Sequence, residues 1–273
     1  MYADLHIHTN NSDGLLSVKE VIYDSINKNI KVIAITDHDT IEGIKDIIEY
    51  LSIVVIPGVE LTVTNKLHIL GYFINPDNIS LKRALEKMKL KKASWMVKLV
   101  KLLSAEYDIS IKKLLDQYKE ITMGSICNYL LNMTNCKLTK SQIYERYFWG
   151  NTPYIGKMPS FTIENAIRLI KEAGGIAVLA HPSLVWKSNE EFSELLSHLL
   201  SCGLDGIEVY HISNDCNEQI PYFTEIAKNN NLLITGGSDF HGTKNKYTYL
   251  GDYGISENEW IAIESYVKKK GKM

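Results

Sequence analysis

The chain has 273 residues, of which 45% are hydrophobic and 23% are charged, a composition typical of a globular protein with a sizeable core. Its formal net charge of -2 at pH 7 gives the whole molecule no attraction for nucleic acid or for an anionic membrane. The longest apolar runs, such as residues 53–56 and 176–180, are too short to cross a bilayer. We therefore expect a cytoplasmic protein with no membrane partner and no stable nucleic-acid complex.

Short apolar strands alternate with helices over the first part of the chain. Residues 31–36 (KVIAIT) are rich in β-branched side chains, which is typical of a buried parallel strand. Ser17 is a suitable helix N-cap, and Glu20 completes a capping box. This alternation favours an α/β fold with a parallel sheet or barrel. The elements predicted here are strands over 3–8, 31–36, 53–56 and 67–72, and helices over 17–29 and 40–50.

The middle of the chain differs, because it is rich in lysine and shows helical patterns without a convincing strand. Helices are predicted over 81–103, 109–118 and 125–133. We interpret residues 81–159 as an all-helical insertion that forms a substrate cap. The alternation then resumes, with helices over 162–173 and 257–270 and strands over 176–180, 206–210 and 232–235. Residues 1–80 and 160–273 are therefore expected to form the barrel.

The four cysteines, Cys127, Cys136, Cys202 and Cys216, include no C-x-x-C pair, and their spacing is not that of a zinc ribbon or finger. We expect buried or partly buried free thiols in a reducing compartment.

Most of the histidines lie near the ends of predicted strands. Of the eight in the chain, seven fall at or just beyond the end of a predicted strand. His6 and His8 alternate along an extended segment, so both imidazoles face the same side, as two ligands of one metal would. The further candidate ligands are Asp13, His38, Glu60, His68, His181, Asp239 and His241.

Residues at the carboxyl ends of parallel strands share one rim of an α/β barrel. Five or six such ends would bring imidazoles and carboxylates together. A single histidine after a strand is more often a hydrogen-bonded loop residue than a ligand, but the joint pattern predicts a metal cluster. Nitrogen and oxygen ligands of this kind suit Zn²⁺, Mn²⁺ or Fe²⁺ rather than Ca²⁺.

Four other residues near these positions have different interpretations. His198 lies within a predicted helix and is interpreted as structural. His211 follows a strand and is a candidate for binding substrate rather than metal. Asp37 and Asp39 flank His38. They either accept hydrogen bonds from the metal-binding imidazoles and so orient them, or cap the loop.

The motifs D-L-H-I-H-T, S-D-G, I-T-D-H-D-T, P-G-V-E, H-I-L-G-Y, L-A-H-P and G-S-D-F-H-G occur in this order between residues 4 and 242. In sequence and order they resemble the PHP (polymerase and histidinol phosphatase) family. The likeness is greatest to its branch of bacterial nucleoside-bisphosphate phosphatases and RNA-trimming enzymes. The resemblance implies a distorted (β/α)7 TIM-like barrel with a helical insertion, and a phosphoesterase centre of two or three divalent ions (Mn, Fe or Zn).

The resemblance also implies which residues hold each ion. One ion would be bound by His6, His8, Glu60 and Asp239, a second by Asp13, His38 and His241, and a third by Glu60, His68 and His181. A centre of this kind hydrolyses a phosphate ester with an activated water and without a covalent intermediate. The candidate catalytic residues are His211 and Asp13, and either His211 or a metal-bound water would protonate the leaving group.

The insertion departs from the family pattern. Relatives carry an Arg-x-His element in which the arginine grips a substrate phosphate, and here Met123 and Ser125 stand at those positions. A lysine binds phosphate as a point charge but does not reproduce the two-pronged arginine contact. The pattern therefore favours a simpler monoester, a cyclic phosphate or another phosphorylated metabolite. Candidate substrate-binding residues are Lys244, Lys157, Lys92 and Ser183. The aromatic residues Tyr144, Tyr147, Phe148, Trp149 and Tyr154 would either stack on a base or pack the insertion onto the barrel.

Three functions are compatible with these observations. The first is hydrolysis of a small phosphorylated metabolite, possibly a nucleotide. The second is 5′-directed trimming of RNA, which would require a basic, aromatic groove. The third is a catalytically silent binding or regulatory module, which would be expected to lack some ligands, whereas all nine candidate positions are filled. The sequence does not predict the oligomeric state.

Overall fold

A computed structural model describes residues 2–47, 51–118, 121–149, 152, 155–242 and 248–271. Seven strands form one sheet in which spatial order follows chain order. They are β1 (Ala3–Ile7), β2 (Val32–Ile35), β3 (Val54–Thr62), β4 (His68–Tyr72), β5 (Ile176–Leu179), β6 (Gly206–Tyr210) and β7 (Leu233–Gly236).

Ten α-helices lie within the described residues. They are α1 (Val18–Asn27), α2 (Ile79–Leu103), α3 (Ile111–Leu115), α4 (Met123–Leu131), α5 (Lys140–Ile143), α6 (Ile163–Glu172), α7 (Asn189–Ser201), α8 (Ile212–Cys216), α9 (Ile220–Asn229) and α10 (Glu257–Lys269). Short 3₁₀ helices span Glu42–Asp46 and Pro182–Leu184, and a π-helix spans Tyr144–Trp149. Among these helices, none is long and apolar enough to cross a membrane.

The sheet curves into a nearly closed barrel. The first and last strands meet through the segment after β7, where His8 N donates to Phe240 O at 2.9 Å and Ile7 bridges Phe240 in parallel. Gly237 lies so close to β1 that a Cβ there would be 2.3 Å from His6 Cβ. The predicted distorted (β/α)7 TIM-like barrel is thus confirmed.

One strand differs from the predicted parallel arrangement. β4 runs antiparallel to both β3 and β5, whereas the other neighbouring pairs are parallel. The connection from β3 to β4 is a short hairpin of a few residues, and so short a connection permits only antiparallel pairing. His68 therefore lies opposite Thr62, the last residue of β3, at the same rim as the ends of the parallel strands.

β3 is longer than the predicted strand 53–56. Pro57 is the last residue to pair with β2, and Gly58 is the first to pair with β4. Gly58 allows the strands to approach closely, because a Cβ there would lie 2.8 Å from Ile35 O. As a result Glu60 lies within a strand. The predicted helix over 40–50 is a 3₁₀ helix over Glu42–Asp46, and residues 48–50 lie outside the described part of the chain.

Local signals in the sequence explain several helix boundaries. Ser17 caps α1 and forms the predicted capping box with Glu20. Thr162 caps α6 through the backbone N–H of Asn165. Apolar faces then pack these helices onto the sheet, with Val18, Val21 and Ile22 of α1 fully buried.

The chain separates into two compact units, residues 1–85 with 161–273, and residues 86–160. The second unit has its own apolar core, which includes Leu99, Ile126, Tyr147 and Phe148. Tyr144 packs against this core, Trp149 is 41% exposed, and Tyr154 lies outside the described residues.

The cysteines are free thiols, as expected, but their burial varies more than predicted. Cys127 is buried and Cys136 and Cys202 are half-buried, whereas Cys216 is exposed.

Candidate metal centre

Imidazoles and carboxylates from different strands meet at one rim of the barrel. The first group contains His6 and His8 from β1 and its following loop, Glu60 from β3, and Asp239 after β7. His6 Nε2 and His8 Nε2 are each 3.1 Å from Glu60 Oε2 and 3.1 Å from one another. Asp239 Oδ1 is 3.5 Å from His6 Nε2 and 3.2 Å from His8 Nε2. Four ligand atoms thus surround a common point.

The second group lies on the other side of His8. Ligand atoms of His8, Asp13, His38 and His241 lie within 4.8 Å of one another. His241 Nε2 is 3.3 Å from Asp13 Oδ1, and the rings of His8 and His241 stack with centroids 4.2 Å apart. Asp13 is 57% exposed, so this group faces solvent.

The third group uses the other oxygen of Glu60. His68 Nδ1 is 2.8 Å from Glu60 Oε1, and His181 Nε2 is 3.1 Å from the same oxygen. Glu60 is fully buried, and each of its two oxygens faces a different set of imidazoles. A carboxylate placed in this way can bridge two cations.

The donor atoms present fit divalent ions. Nitrogen and oxygen ligands of a tetrahedral zinc site lie about 3.3–3.6 Å apart, given metal–ligand distances of about 2.0–2.2 Å, and the first group already approaches this spacing. Several buried ring nitrogens also lack a hydrogen-bond partner among the described residues, namely His8 Nδ1, His38 Nδ1, His181 Nδ1 and His211 Nε2. Buried polar groups are normally satisfied, so four in one cluster indicate that a ligand belongs there.

The electrostatics of the cluster lead to the same conclusion. Burial alone would lower the pKa of His6, but Glu208 and Glu60 raise it well above its ordinary value. Burial also opposes protonation of His8, yet hydrogen bonds to Asp239 and Glu60 raise its pKa to about 10. Burial would raise the pKa of Glu60, but neighbouring imidazoles, His38 first, hold it well below its usual range. Protons on imidazoles thus supply positive charge that cations would otherwise bring.

Glu208 is a functional residue that the sequence analysis missed. It is fully buried, Oε1 lies 2.9 Å from His6 Nδ1, and Oε2 accepts the backbone N–H of His181 at 2.7 Å. A carboxylate behind a ligand imidazole fixes its tautomer and orientation. The signal was present in the sequence, because Glu208 is the one charged residue in the apolar strand Gly206–Tyr210.

Asp4 was also missed, and it likewise interrupts an apolar strand. It accepts hydrogen bonds from Ser238 N and Oγ and from Gly251 N, and so fixes the segment that carries Asp239 to β1. Burial raises the pKa of Asp4 to about 6, against the opposing effect of these hydrogen bonds.

Asp37 and Asp39 hold loops rather than imidazoles in the contacts described. Asp37 accepts from Thr9 N and Oγ1 at 2.7 Å and from Ser12 Oγ at 2.6 Å. Asp39 accepts from Thr62 N at 2.9 Å. These contacts favour the loop-capping interpretation.

Three residues at the rim have a strained backbone conformation. Asp39, His181 and Asp239 have φ values of 50°, 29° and 51°, in the left-handed region that side chains other than glycine rarely adopt. Such conformations cost about 1–3 kcal/mol each and persist where the surroundings enforce them.

Hydrogen bonds fix the orientation of the His211 ring. Its Nδ1 accepts the backbone N–H of Ser213 at 3.0 Å, so a neutral ring carries its proton on Nε2. That nitrogen lies 3.5 Å from Asp239 Oδ2 and faces the cluster.

The remaining candidates are in three different parts of the chain. Ser183 follows His181, and its hydroxyl donates to Asn214 Oδ1 at 2.5 Å. Lys92 and Lys157 belong to the second unit, and Lys244 lies outside the described residues. His198 is on α7 and bonds to Glu164 at 2.8 Å.

Barrel and rim together define an α/β-barrel hydrolase that works through divalent metals. The chain belongs to the PHP family, because residues 4–150, more than half of its length, match the family model described as PHP domain. The predicted family is thereby confirmed.

Curated proteins of this kind resemble the chain over most of its length. It is 26% identical over 267 residues to phosphoribosyl 1,2-cyclic phosphate 1,2-diphosphodiesterase of Eggerthella lenta, covering 92% of this chain and 98% of that protein. It is 29% identical over 251 residues to the 5′-3′ exoribonuclease Rnm of Salmonella typhimurium, covering 87% and 84%.

A solved structure is similar as well. A Bifidobacterium adolescentis protein assigned to the metal-dependent phosphoesterases superposes with a TM-score of 0.77 at 26% identity, covering 97% of this chain and 96% of that one. The protein is a metal-dependent phosphoesterase, a hydrolase acting on phosphoric ester bonds, as the sequence predicts.

Proposed function

We propose that the protein hydrolyses a small phosphorylated metabolite, with a phosphate monoester or cyclic phosphate as the substrate class. Two or three divalent ions, Mn, Fe or Zn, would be held by the nine predicted ligands at the rim. The observation that carries the proposal is Glu60, whose two oxygens face separate groups of imidazoles 2.8–3.1 Å away. A site for one ion would not require this arrangement.

Divalent ions bound in this cluster would lower the pKa of water and neutralise charge on the phosphoryl oxygens. The chain's own groups complete the chemistry. The Nε2–H of His211 would donate a hydrogen bond to the leaving oxygen and stabilise the charge that develops there, while a water supplies the proton, and Ser213 N–H keeps the ring in the required tautomer. Asp13, exposed at the mouth beside His241, is the second proposed catalytic residue and can accept a proton from the attacking water.

Substrate choice follows from the insertion. Ser125 stands where relatives carry a histidine, and its hydroxyl is engaged by Thr122: it accepts from Thr122 N at 2.7 Å and donates to Thr122 O at 3.0 Å. These two residues form the capping box of α4, so the first turn of this helix is built for stability. Met123 brings no charge for a second phosphate. Both features support a substrate with one phosphoryl group at the reacting position.

The insertion is proposed to act as a substrate cap, with Lys92 and Lys157 as candidate phosphate contacts. Lys244 and Ser183 are the corresponding candidates in the barrel unit. All four remain predictions, and the substrate panel below can be repeated with each changed to alanine. A substrate contact would raise KM, whereas a residue on a solvated surface would leave it unchanged.

Trimming of RNA from its 5′ end is the second candidate, and a specific surface favours it. The residues Lys87, Lys91, Lys98 and Lys101 lie along one exposed face of α2 in the second unit, and none of them forms an ion pair with another described residue. Such a face would bind a phosphate backbone in a salt-dependent manner.

A substrate panel tests the proposal. Phosphate release or ring opening is measured with Mn²⁺ on a ribose cyclic phosphate, nucleotide monophosphates, sugar phosphates, nucleoside 3′,5′-bisphosphates and short 5′-phosphorylated RNA. We expect the highest kcat/KM on a cyclic phosphate or a monoester. A preference for bisphosphates would overturn the substrate class, and processive shortening of RNA would establish the second candidate.

A further inference from the structure

A mixed group of potential metal ligands lies on α6 and α7, away from the barrel rim. Glu164 is in the first turn of α6, His198 is in the last turn of α7, and Cys202 is the C-cap residue of α7. His198 Nε2 is 2.8 Å from Glu164 Oε1, and the ligand atoms of all three residues lie within 4.8 Å of one another. None of the three belongs to the catalytic ligand set.

We propose that Glu164, His198 and Cys202 form a second, peripheral binding site for a thiophilic divalent ion such as Zn²⁺. Nitrogen, oxygen and sulfur donors of these types are all zinc ligands, and three of them leave one position for water. His198 and Cys202 are four residues apart at the end of a helix, so their side chains project from the same face. With a thiolate, a carboxylate and a neutral imidazole, the ligands carry two negative charges and balance the ion.

The geometry requires only small side-chain adjustments. Tetrahedral ligands lie about 3.3–3.6 Å apart. The pair His198–Glu164 therefore has to open by about 0.5–0.8 Å, while Cys202 closes by at most about 1.5 Å. The His198 and Glu164 side chains are 47% and 57% exposed, so both can rotate without disturbing the core.

The surroundings favour a cation at this position. The carboxyl end of α7 carries the negative end of the helix dipole, and His198 lies in its last turn. Binding would link α6, which precedes β5 in the chain, to α7, which follows it. β5 is the strand that leads into His181.

Cobalt titration tests this site separately from the catalytic centre, because none of the nine predicted catalytic ligands is a cysteine. Co²⁺ is added to the purified full-length protein under reducing conditions, and the near-ultraviolet thiolate-to-cobalt charge-transfer band is followed. We expect the band to saturate at an intensity that corresponds to one thiolate-bound Co²⁺ per chain, after the rim sites have filled, and Zn²⁺ to displace it. Cys202→Ser should abolish the band, and His198→Ala should weaken Co²⁺ binding at least tenfold.

Cys216→Ser is the matched control, since Cys216 is the exposed thiol and should leave the band unchanged. Alkylation gives a second readout: Zn²⁺ should slow modification of Cys202 at least tenfold without affecting Cys216. The proposal is overturned if no band forms, if the band survives Cys202→Ser, or if Zn²⁺ protects neither thiol. Each of these results is independent of phosphoesterase activity.

Discussion

Glu208 and His6 form a fully buried pair in which Glu208 Oε1 lies 2.9 Å from His6 Nδ1. With the proton on Nδ1 donated to Glu208, Nε2 is the His6 nitrogen that faces Glu60 and Asp239, and its lone pair would bind an ion in place of a proton. The other oxygen of Glu208 holds the backbone of His181 at 2.7 Å. One carboxylate thus orients ligand residues from two strand ends.

Glu208→Gln should therefore impair the centre without removing a ligand. Loss of such a supporting carboxylate typically costs about 10–100-fold in metal affinity or activity. We expect this loss in kcat/KM together with weaker binding of Mn²⁺ in a direct titration. Glu225→Gln, on the exposed surface of α9, is the control and should match the wild type. Unchanged Mn²⁺ affinity in the Glu208 variant would show that the pair does not support the centre.

Gly237→Ala should displace His6, because the new methyl group would lie 2.3 Å from His6 Cβ and 2.4 Å from His6 N. The contact is with backbone, so it cannot be relieved by rotating a side chain. We expect a destabilised protein, with a lower melting temperature and activity reduced at least tenfold. Gly124→Ala is the control, since the nearest atom to its Cβ would be Thr122 Oγ1 at 3.7 Å. Wild-type activity and melting temperature in Gly237→Ala would contradict the close packing of β1 against this segment.

Ser125→Ala separates a capping role from a substrate role. Because Ser125 and Thr122 form the capping box of α4, the change should destabilise the second unit by about 0.5–2 kcal/mol. We expect KM and kcat on the best substrate to stay within twofold of the wild type. Thermal unfolding and steady-state kinetics provide the two readouts, with exposed Ser141→Ala as the control. A raised KM with unchanged stability would assign Ser125 to substrate binding.

The hydrogen bonds of Asp205 should make the free energy of unfolding decrease in acid. This buried carboxylate accepts hydrogen bonds from Lys171, Tyr266 OH and Ala177 N. Burial alone would raise its pKa, but these partners, Lys171 first, lower it below the ordinary value of 3.8. The contribution of ionised Asp205 to the free energy of unfolding is therefore fully present above the unfolded-state pKa of 3.8. It is lost as the pH falls through the lower pKa of Asp205 in the folded protein.

Asp205→Asn should cost about 1.5–3 kcal/mol near neutral pH, the typical contribution of hydrogen bonds to a charged group. The difference from the wild type should shrink in strong acid, where Asp205 is protonated in both folded and unfolded chains. Urea unfolding between pH 7 and pH 2.5 measures both free energies. A difference that is constant over this range would contradict the assignment of charge to Asp205.

Much of the fold and of the cluster could be predicted, because the relevant signals are local. Ser17 and Glu20 form the expected capping box, and β6 has the predicted bounds. The direction of β4 could not be predicted from its apolar pattern, since alternation along a strand has no direction. His68 nevertheless lies at the rim, because an antiparallel strand brings its first residue to the end where parallel strands finish.

Residues that support the ligands were harder to find. Glu208 belongs to an apolar strand, and its role depends on pairing with His6, which lies 202 residues away in the sequence. The aromatic residues of the insertion had two sequence interpretations, and the structure shows a third arrangement. Tyr147 and Phe148 pack into the insertion's own core, a long-range arrangement that composition does not reveal.

The most direct test of the account measures metal content and phosphate release together, in wild type and in Glu60→Gln. The protein is stripped with a chelator and reloaded with Mn²⁺, an ion that a thiolate-containing peripheral site binds poorly. We predict two or three Mn²⁺ per chain in the wild type, no turnover when stripped and full recovery on reloading. Glu60→Gln should bind fewer ions and lose at least 100-fold in kcat. Turnover that survives complete removal of metal, or wild-type metal content and turnover in Glu60→Gln, would contradict a multi-metal centre built around Glu60.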